Sequence, residues 1–549
     1  MQVRPAHWEK RSFCMTKKAS GQRNSITPAL ARTPASGVVF HANALLRAAS
    51  LFVLLLLAGL WNLEGPEFWW DEGWTLSVAR NFVERGHYGR LLDGQPAPGG
   101  LEASPVVTLP IVLSFQMFGV GLWQGRLVSL ICAAAAIMLL GTLAARVYDQ
   151  RVAWGTLGVL LLLPAHPQLN ALLTGRQVLG EMPMLLFLTG GYLCLDAALR
   201  GRALWMAPAT VLWSLALFAK AQTFPFWLVS LAGATVVALA LRRRRAAALV
   251  AGGALLTLLA RPWVTQAVTL PIAGRTLPGT TISGIYDVTA FVPNLPNRVF
   301  ALQMILIGGM PALLGLIAAV RQFLKDARTT DSTNPQRDTL IIRAALIGLA
   351  GSWFVWFALL SVGVPRYLFP ATFMAGPFTA ALLHDLTGGF RPTFVVERLV
   401  APLRVARLTR QSAGAWLALL LVATTLPLTV LSSWQHFMAD ERAVFRVAAF
   451  LNTQTPPDSL IETYESELHF LLNRRYHYPP DQVHVELNRR SMLGQETPVD
   501  YDSLAANPTH LVVGRFANGN GLYEDVIASG AFREILRDGR YIVYARVQR

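Results

Sequence analysis

The sequence predicts a polytopic α-helical membrane protein, with about 11 spans at ~20 residues each and a small α/β domain at the C-terminus. Three observations carry this. Hydrophobic residues make up 53% of the 549-residue chain and charged residues 15%, against roughly 25% charged in soluble domains. Long apolar runs alternate with short charged loops. Lys and Arg gather at the ends of those runs, on every second loop. The net charge of +16 therefore reads as membrane topology. Nucleic-acid binding is set aside, because no basic stripe is interleaved with aromatics. Of the cysteines Cys14, Cys132 and Cys194, the last two lie inside apolar runs, so neither a disulfide framework nor a zinc site is implied.

Residues 1–43 are polar and basic (Lys10, Arg11, Lys17, Lys18, Arg23, Arg32) and read as a disordered cytoplasmic tail. A cleaved signal peptide does not fit, since the first apolar run starts far from the N-terminus and is long enough to span. The first span is expected at 44–63, followed by a large outer loop over 64–121. Inside that loop, 105–118 is apolar but too short to cross, and reads as an interfacial or re-entrant helix. Further spans are expected at 122–148, 152–169, 182–199, 203–219, 224–241, 246–262, 299–320, 342–362, 367–386 and 413–433.

With a cytoplasmic N-terminus, the inner loops receive Arg146/Arg151, Arg200/Arg202, Arg242 to Arg245, Arg321/Lys325/Arg328 and Arg391 through Arg410. If 105–118 crossed, all of these clusters would lie outside. The odd span count places 434–549 outside the membrane, as a periplasmic or extracellular domain of a multi-pass inner (plasma) membrane protein. Strand-like runs "HLVVGRF" (510–516) and "YIVYARV" (541–547), with helical stretches near 440–452 and 521–536, make that domain α/β.

Topology directs the search for chemistry to the outer face. The first loop holds "FWWDEGWTLSVARN", with Asp71 and Glu72 beside Trp69, Trp70 and Trp74. A carboxylate at an aromatic interface is partly desolvated, which raises its pKa and its power to accept a proton from a hydroxyl. A solvated loop with an aromatic belt explains the same residues about as well. Glu102 ends the loop ahead of Pro105, where a helix N-terminal charge is the plain alternative. The next outer loop, "TGRQVLGEMP", brings Arg176 and Glu181, the latter also able to cap a span. His166 lies nearby and reads more often as structural than as a ligand. Lys220 ("FAKAQ") and Arg366 ("VPRYLFP") close spans on a face where basic residues are disfavoured. Each either snorkels or binds an anionic group such as a lipid phosphate.

These residues resemble the GT-C superfamily of polyprenyl-phosphate-sugar glycosyltransferases, which includes lipid A aminoarabinose transferases and protein O-mannosyltransferases. The match covers about 44–390 and is most specific at Asp71-Glu72, at the Glu102–Pro105 segment, and at 118–154 with Arg126 opening a span. The resemblance implies Asp71 as general base supported by Glu72, with Glu102 and Glu181 as further catalytic acids. It assigns Arg176, Lys220, Arg366 and Tyr367 to the lipid phosphate. It leaves room for a divalent metal at Glu102, although the 263–298 loop holds no histidine and Ala103-Ser104 stand where the family usually carries Pro or Lys.

The implied activity is inverting transfer of a sugar from a polyprenyl-phosphate donor to a hydroxyl of a glycan, lipid or protein acceptor. Its partners are that donor, the acceptor and membrane lipids, with no nucleic acid. A lipid-linked-sugar flippase or transporter is the rival, and a non-catalytic scaffold a third option. Transporters usually place ionisable groups near the midplane, often in paired repeats. Here they gather at one face.

Overall fold

A computed structural model of the chain describes residues 36–279, 282–329, 336–405 and 409–547. Most of the expected tail, 1–35, lies outside them. Helix α1 (Ser36–Leu60) comes first. The first loop folds into α2 (Trp70–Arg85), a hairpin of β1 (Leu91–Leu92) and β2 (Gln95–Pro96), and α3 (Pro105–Phe118). The helical body continues with α4 (Leu122–Val147), α5 (Gln150–Leu162), α6 (Ala171–Thr174), α7 (Glu181–Leu199), α8 (Met206–Ala219), α9 (Phe224–Ala240), α10 (Arg244–Thr269) and α11 (Ile285–Thr289). It ends with α12 (Leu295–Met304), α13 (Met310–Thr329), α14 (Gln336–Leu359), α15 (Pro365–Met374), α16 (Gly376–Leu386), α17 (Pro392–Val405) and α18 (Arg410–Phe437).

Every expected apolar run falls on helix, and the chain is an integral membrane protein. Among the described residues, seven helices are long and apolar enough to cross a membrane alone: 122–147, 181–199, 221–240, 244–272, 295–329, 338–359 and 411–437. The shorter ones have local causes. The run at 152–169 leaves α5 at Leu162, because Pro164 and Pro167 remove donors and disfavour helix before them. The run at 367–386 divides at Ala375, just before Gly376-Pro377. Helix α3 has 14 residues, hence a length of about 21 Å, short of the roughly 30 Å hydrocarbon core.

The basic ends meet at one end of the body. Arg146 and Arg200 both pair with the buried Asp196 (3.1 and 3.0 Å), and Arg343 donates to the Val147 carbonyl (3.1 Å). The opposite ends of α7, α8 and α15 carry Glu181, Lys220 and Arg366.

The C-terminal domain opens with α19 (Ala443–Gln454) and then alternates β3 (Leu460–Thr463), α20 (Ser466–Leu471), β4 (Arg475–His477), α21 (Asp481–Leu493) and β5 (His510–Val513). Short α22 (Arg515–Gly519) and α23 (Glu524–Ala528) lead into the hairpin of β6 (Phe532–Asp538) and β7 (Tyr541–Arg546). The sheet order is β4-β3-β5-β7-β6, with β4, β3 and β5 parallel and β7 and β6 antiparallel. The expected helix at 521–536 is corrected. Gly530 (φ +72°) ends α23, and a turn at Gly539 (φ +56°) folds the following residues into a hairpin. The core of this domain takes in Trp70 and Trp74 of α2 together with Tyr464, Leu511, Val513 and Tyr544.

Candidate active site

Helix α2 starts where Trp69 is extended (φ −77°, ψ 144°) and the Glu72 carboxylate accepts its N–H (3.0 Å). Glu72 is fully buried. Arg126 of α4 grips both of its oxygens (2.9 and 2.7 Å), and the Val178 N–H donates a further bond (2.8 Å). Arg126 also donates to the carbonyls of Leu63, Pro66 and Glu67 (2.8, 3.2 and 2.8 Å). With both charges satisfied on all sides, the pair meets the condition under which a buried ion pair is tolerated. It ties α2, α4 and the 176–180 segment together.

This fixes Asp71 one residue earlier, in the wall of a cavity of about 670 Å³. Asp71 accepts from the Trp69 indole (3.2 Å) and pairs with Arg366 of α15. Lys220, closing α8, pairs with the buried Glu181 that opens α7. The Tyr367 ring stands by both cations, 5.4 Å from the Lys220 ammonium and 5.3 Å from the Arg366 guanidinium. Asp71, Glu181, Lys220, Arg366 and Tyr367, distant in sequence, thus line one cavity.

Burial pushes the Asp71 carboxyl up, but the charge of Arg366 and the hydrogen bonds from Arg366 and Trp69 outweigh it, and the group sits below the ordinary carboxylate value. The expected rise is corrected: a charge partner across the cavity, invisible in local sequence, wins over the aromatic surroundings.

Three expected site residues do not line the cavity. Glu72 is engaged as above, so it positions Asp71 and has no surface to offer a substrate. Arg176 is also corrected as a phosphate ligand. It is buried, donates to the carbonyls of Trp61 and Asn62 (2.7 and 2.6 Å), and lies over the Phe437 ring at 4.5 Å. Glu102 is bonded to Arg90 (2.7 Å) and the Gly100 N–H (2.6 Å), while Arg90 also pairs with Asp481 (2.7 Å) and covers Trp74. A metal does not fit there. The Glu102 carboxylate already serves a cation and a backbone donor, and no group of three or more His, Cys, Asp or Glu among the described residues is placed to hold a metal ion. His166 accepts from the Gln168 N–H (3.2 Å) and caps a short turn, its structural reading.

Sequence reasoning missed several lining residues. Gln222, Tyr286 and Trp356 line the cavity, and the Gln222 side-chain nitrogen is buried with no partner among the described residues. His484 reaches the cavity from α21 of the C-terminal domain. It lies on the Trp70 indole (centroids 4.7 Å apart, 13° between planes), with Tyr464 at Nδ1 (2.5 Å) and Asn488 at Nε2 (2.9 Å). Burial lowers its pKa to about 4, with the charges of Asp71 and Asp481 opposing, so the ring is neutral at neutral pH. A polar helix with one histidine gives no local signal of this.

Compared with known proteins, no family model and no curated sequence matches the chain. Solved structures do. ArnT from Cupriavidus metallidurans bound to undecaprenyl phosphate is 18% identical, with a TM-score of 0.57, over 94% of this chain and 99% of that one. The same protein in the apo state gives 17% and 0.56 over 92% and 98%. The Archaeoglobus fulgidus oligosaccharyltransferase tethered to an acceptor peptide gives 14% and 0.51 over 91% and 74%. The chain therefore adopts the GT-C fold expected from its sequence, membrane helices and C-terminal domain included.

Proposed function

We propose that the protein is an inverting glycosyltransferase that moves a sugar from a polyprenyl-phosphate donor to an acceptor hydroxyl at the outer face of the inner membrane. The observation that carries this is the gathering of Asp71, Glu181, Lys220, Arg366 and Tyr367 around one cavity, on a fold shared with a protein seen bound to undecaprenyl phosphate. Lys220 and Arg366 suit the donor phosphate. Charge grows on that group as the anomeric C–O bond breaks, and fixed cations stabilise it. Asp71 takes the acceptor hydroxyl proton while the acceptor oxygen forms the new bond to the anomeric carbon. Polyprenyl phosphate leaves with the electron pair of the old bond. Displacement from the opposite side inverts that carbon, and no covalent enzyme intermediate is needed.

The Asp71–Arg366 pair gives the site an order of events. A phosphate that draws Arg366 toward itself weakens the pairing that keeps Asp71 a poor base, so its proton affinity rises once donor is bound. The test is transfer from a synthetic polyprenyl-phosphate sugar by purified protein. Asp71→Asn should cut kcat by about 10²–10⁴-fold while the protein still elutes like wild type. Full transfer by Asp71→Asn would remove the base from the scheme.

A further inference from the structure

In α/β domains with parallel strands, ligands bind outside the carboxyl ends of the strands, where successive connections leave in opposite directions. Here that point lies between β3 and β5, since β3 leads outward to the edge strand β4 and the chain then returns across to β5. The residues leaving those strand ends are Tyr464, Glu465 and Ser466 on one side and Gly514, Arg515 and Phe516 on the other. Glu465 joins the two sides by accepting the N–H groups of Gly514, Phe516 and Ala517 (3.1, 3.0 and 2.9 Å).

The crevice is filled by the chain itself. The Trp70 indole N–H donates to the Tyr464 carbonyl (2.8 Å), and the Ser466 hydroxyl donates to the Trp70 carbonyl. Phe516 contacts both Trp69 and Trp70 (ring centroids 5.6 Å apart in each case), and Arg515 lies over Trp69 at 5.6 Å. Close approach is allowed by Gly73, where a Cβ would stand 2.3 Å from the backbone of Ser466 and Glu467. Trp69 in turn donates its indole N–H to the Asp71 carboxylate (3.2 Å).

We infer that the C-terminal domain uses its ligand crevice as a seat for Trp69 and Trp70, and that Phe516, which does not line the cavity, is a positioning residue acting on Asp71 through these two indoles. The domain then carries no separate small-molecule activity at that crevice. It holds one side of the active site, adding His484 to the cavity wall. Misplacing a reacting group by about 1 Å costs on the order of a hundredfold in rate, so a seat two residues from Asp71 has leverage on turnover. The turnover readout rests on the glycosyltransferase reading; a second readout does not.

The experiment uses the full-length protein with Trp70→Phe, which removes the indole N–H bond and one of the two fused rings while keeping an aromatic side chain, Phe516→Ala, and the conservative Phe516→Tyr. Two quantities are read: steady-state transfer from a synthetic polyprenyl-phosphate sugar, and carbodiimide labelling of individual carboxylates by mass spectrometry. Trp70→Phe and Phe516→Ala should lower kcat about tenfold or more with the donor KM within about twofold of wild type. Asp71 should label faster in both while Glu181 labels as before, and Phe516→Tyr should restore both quantities. Should Phe516→Ala not fold, Trp70→Phe decides alone. Unchanged kcat, unchanged Asp71 labelling, or a parallel loss of kcat and donor binding with general loosening of the carboxylates would each overturn the proposal. If the wild-type protein transfers no sugar, the glycosyltransferase reading falls, and Asp71 labelling still decides the seat.

Discussion

Asp71 is the residue on which charge, geometry and proposed chemistry meet. Its carboxyl lies below the ordinary value because Arg366 and Trp69 hold its ionised form. The linked stability is therefore present above the unfolded carboxylate value of about 3.9 and is lost as pH falls through the lower folded value. Replacing Arg366 by Gln removes the lowering charge and leaves burial, so the acid limb of the pH–rate profile should move to higher pH. The same logic separates free and donor-bound protein. The acid limb of kcat should lie above that of kcat/KM for the donor, since kcat reports the bound state. Coincident limbs would show that donor does not draw Arg366 away. Lys220→Met should weaken retention of polyprenyl phosphate by about tenfold or more, the worth of a charge-assisted hydrogen bond. It also strands the buried Glu181, so adding Glu181→Gln should recover thermal stability without recovering lipid binding.

At the scale of elements, α2 is held at its first turn by a buried ion pair and along its face by the core of the C-terminal domain. Removing one member of a fully buried pair leaves an unpaired charge and costs about 3–5 kcal/mol. Glu72→Ala should therefore lower the unfolding midpoint in detergent markedly, and by clearly more than Asp71→Asn, whose pair with Arg366 is partly exposed. Equal midpoints for the two variants would reverse the roles given to these neighbours. The membrane helices were legible from their apolar runs, but the breaks before Pro164 and at Gly376-Pro377 and the helix α2 were not, and the 14 residues of α3 were set apart as short. The adjacent acids Asp71 and Glu72 were legible as a pair but not as a division of labour. One turns to a cavity and the other to Arg126, and helical rotation within a tertiary contact decides that. Strands β3 and β4 were missed because runs of three and four residues carry too little periodicity, and the 521–536 misreading came from weighing helix formers over Gly530 and the Asp538-Gly539 turn.

For the whole molecule, alternating charge along the chain foretold which helix ends share a side. The clustering of Arg146, Arg200, Asp196 and Arg343 at one end, with Glu181, Lys220 and Arg366 at the other, agrees with that pattern. The proposed orientation is checked by thiol labelling in intact cells after Cys14→Ser. A cysteine at Ser283 should react with a membrane-impermeant reagent, and one at Arg243 should react only after permeabilisation. The reverse result would invert the protein in the membrane. What sequence could not supply was the contribution of His484 and Phe516, since contacts between a soluble domain and a loop several hundred residues earlier leave no local trace.

The two cross-cavity pairs have a further consequence. Asp71 with Arg366 and Glu181 with Lys220 sum to no formal charge, so the paired side chains present no naked positive field to their surroundings. A leaflet offers anionic phospholipid headgroups in large excess over any one polyprenyl lipid. A site with two free cations would be crowded by them. A site whose cations are already paired favours a molecule that competes with the carboxylates for them while its other parts find their own contacts. On the proposed reading, the acids shield the phosphate site from the bulk membrane before either of them handles a proton.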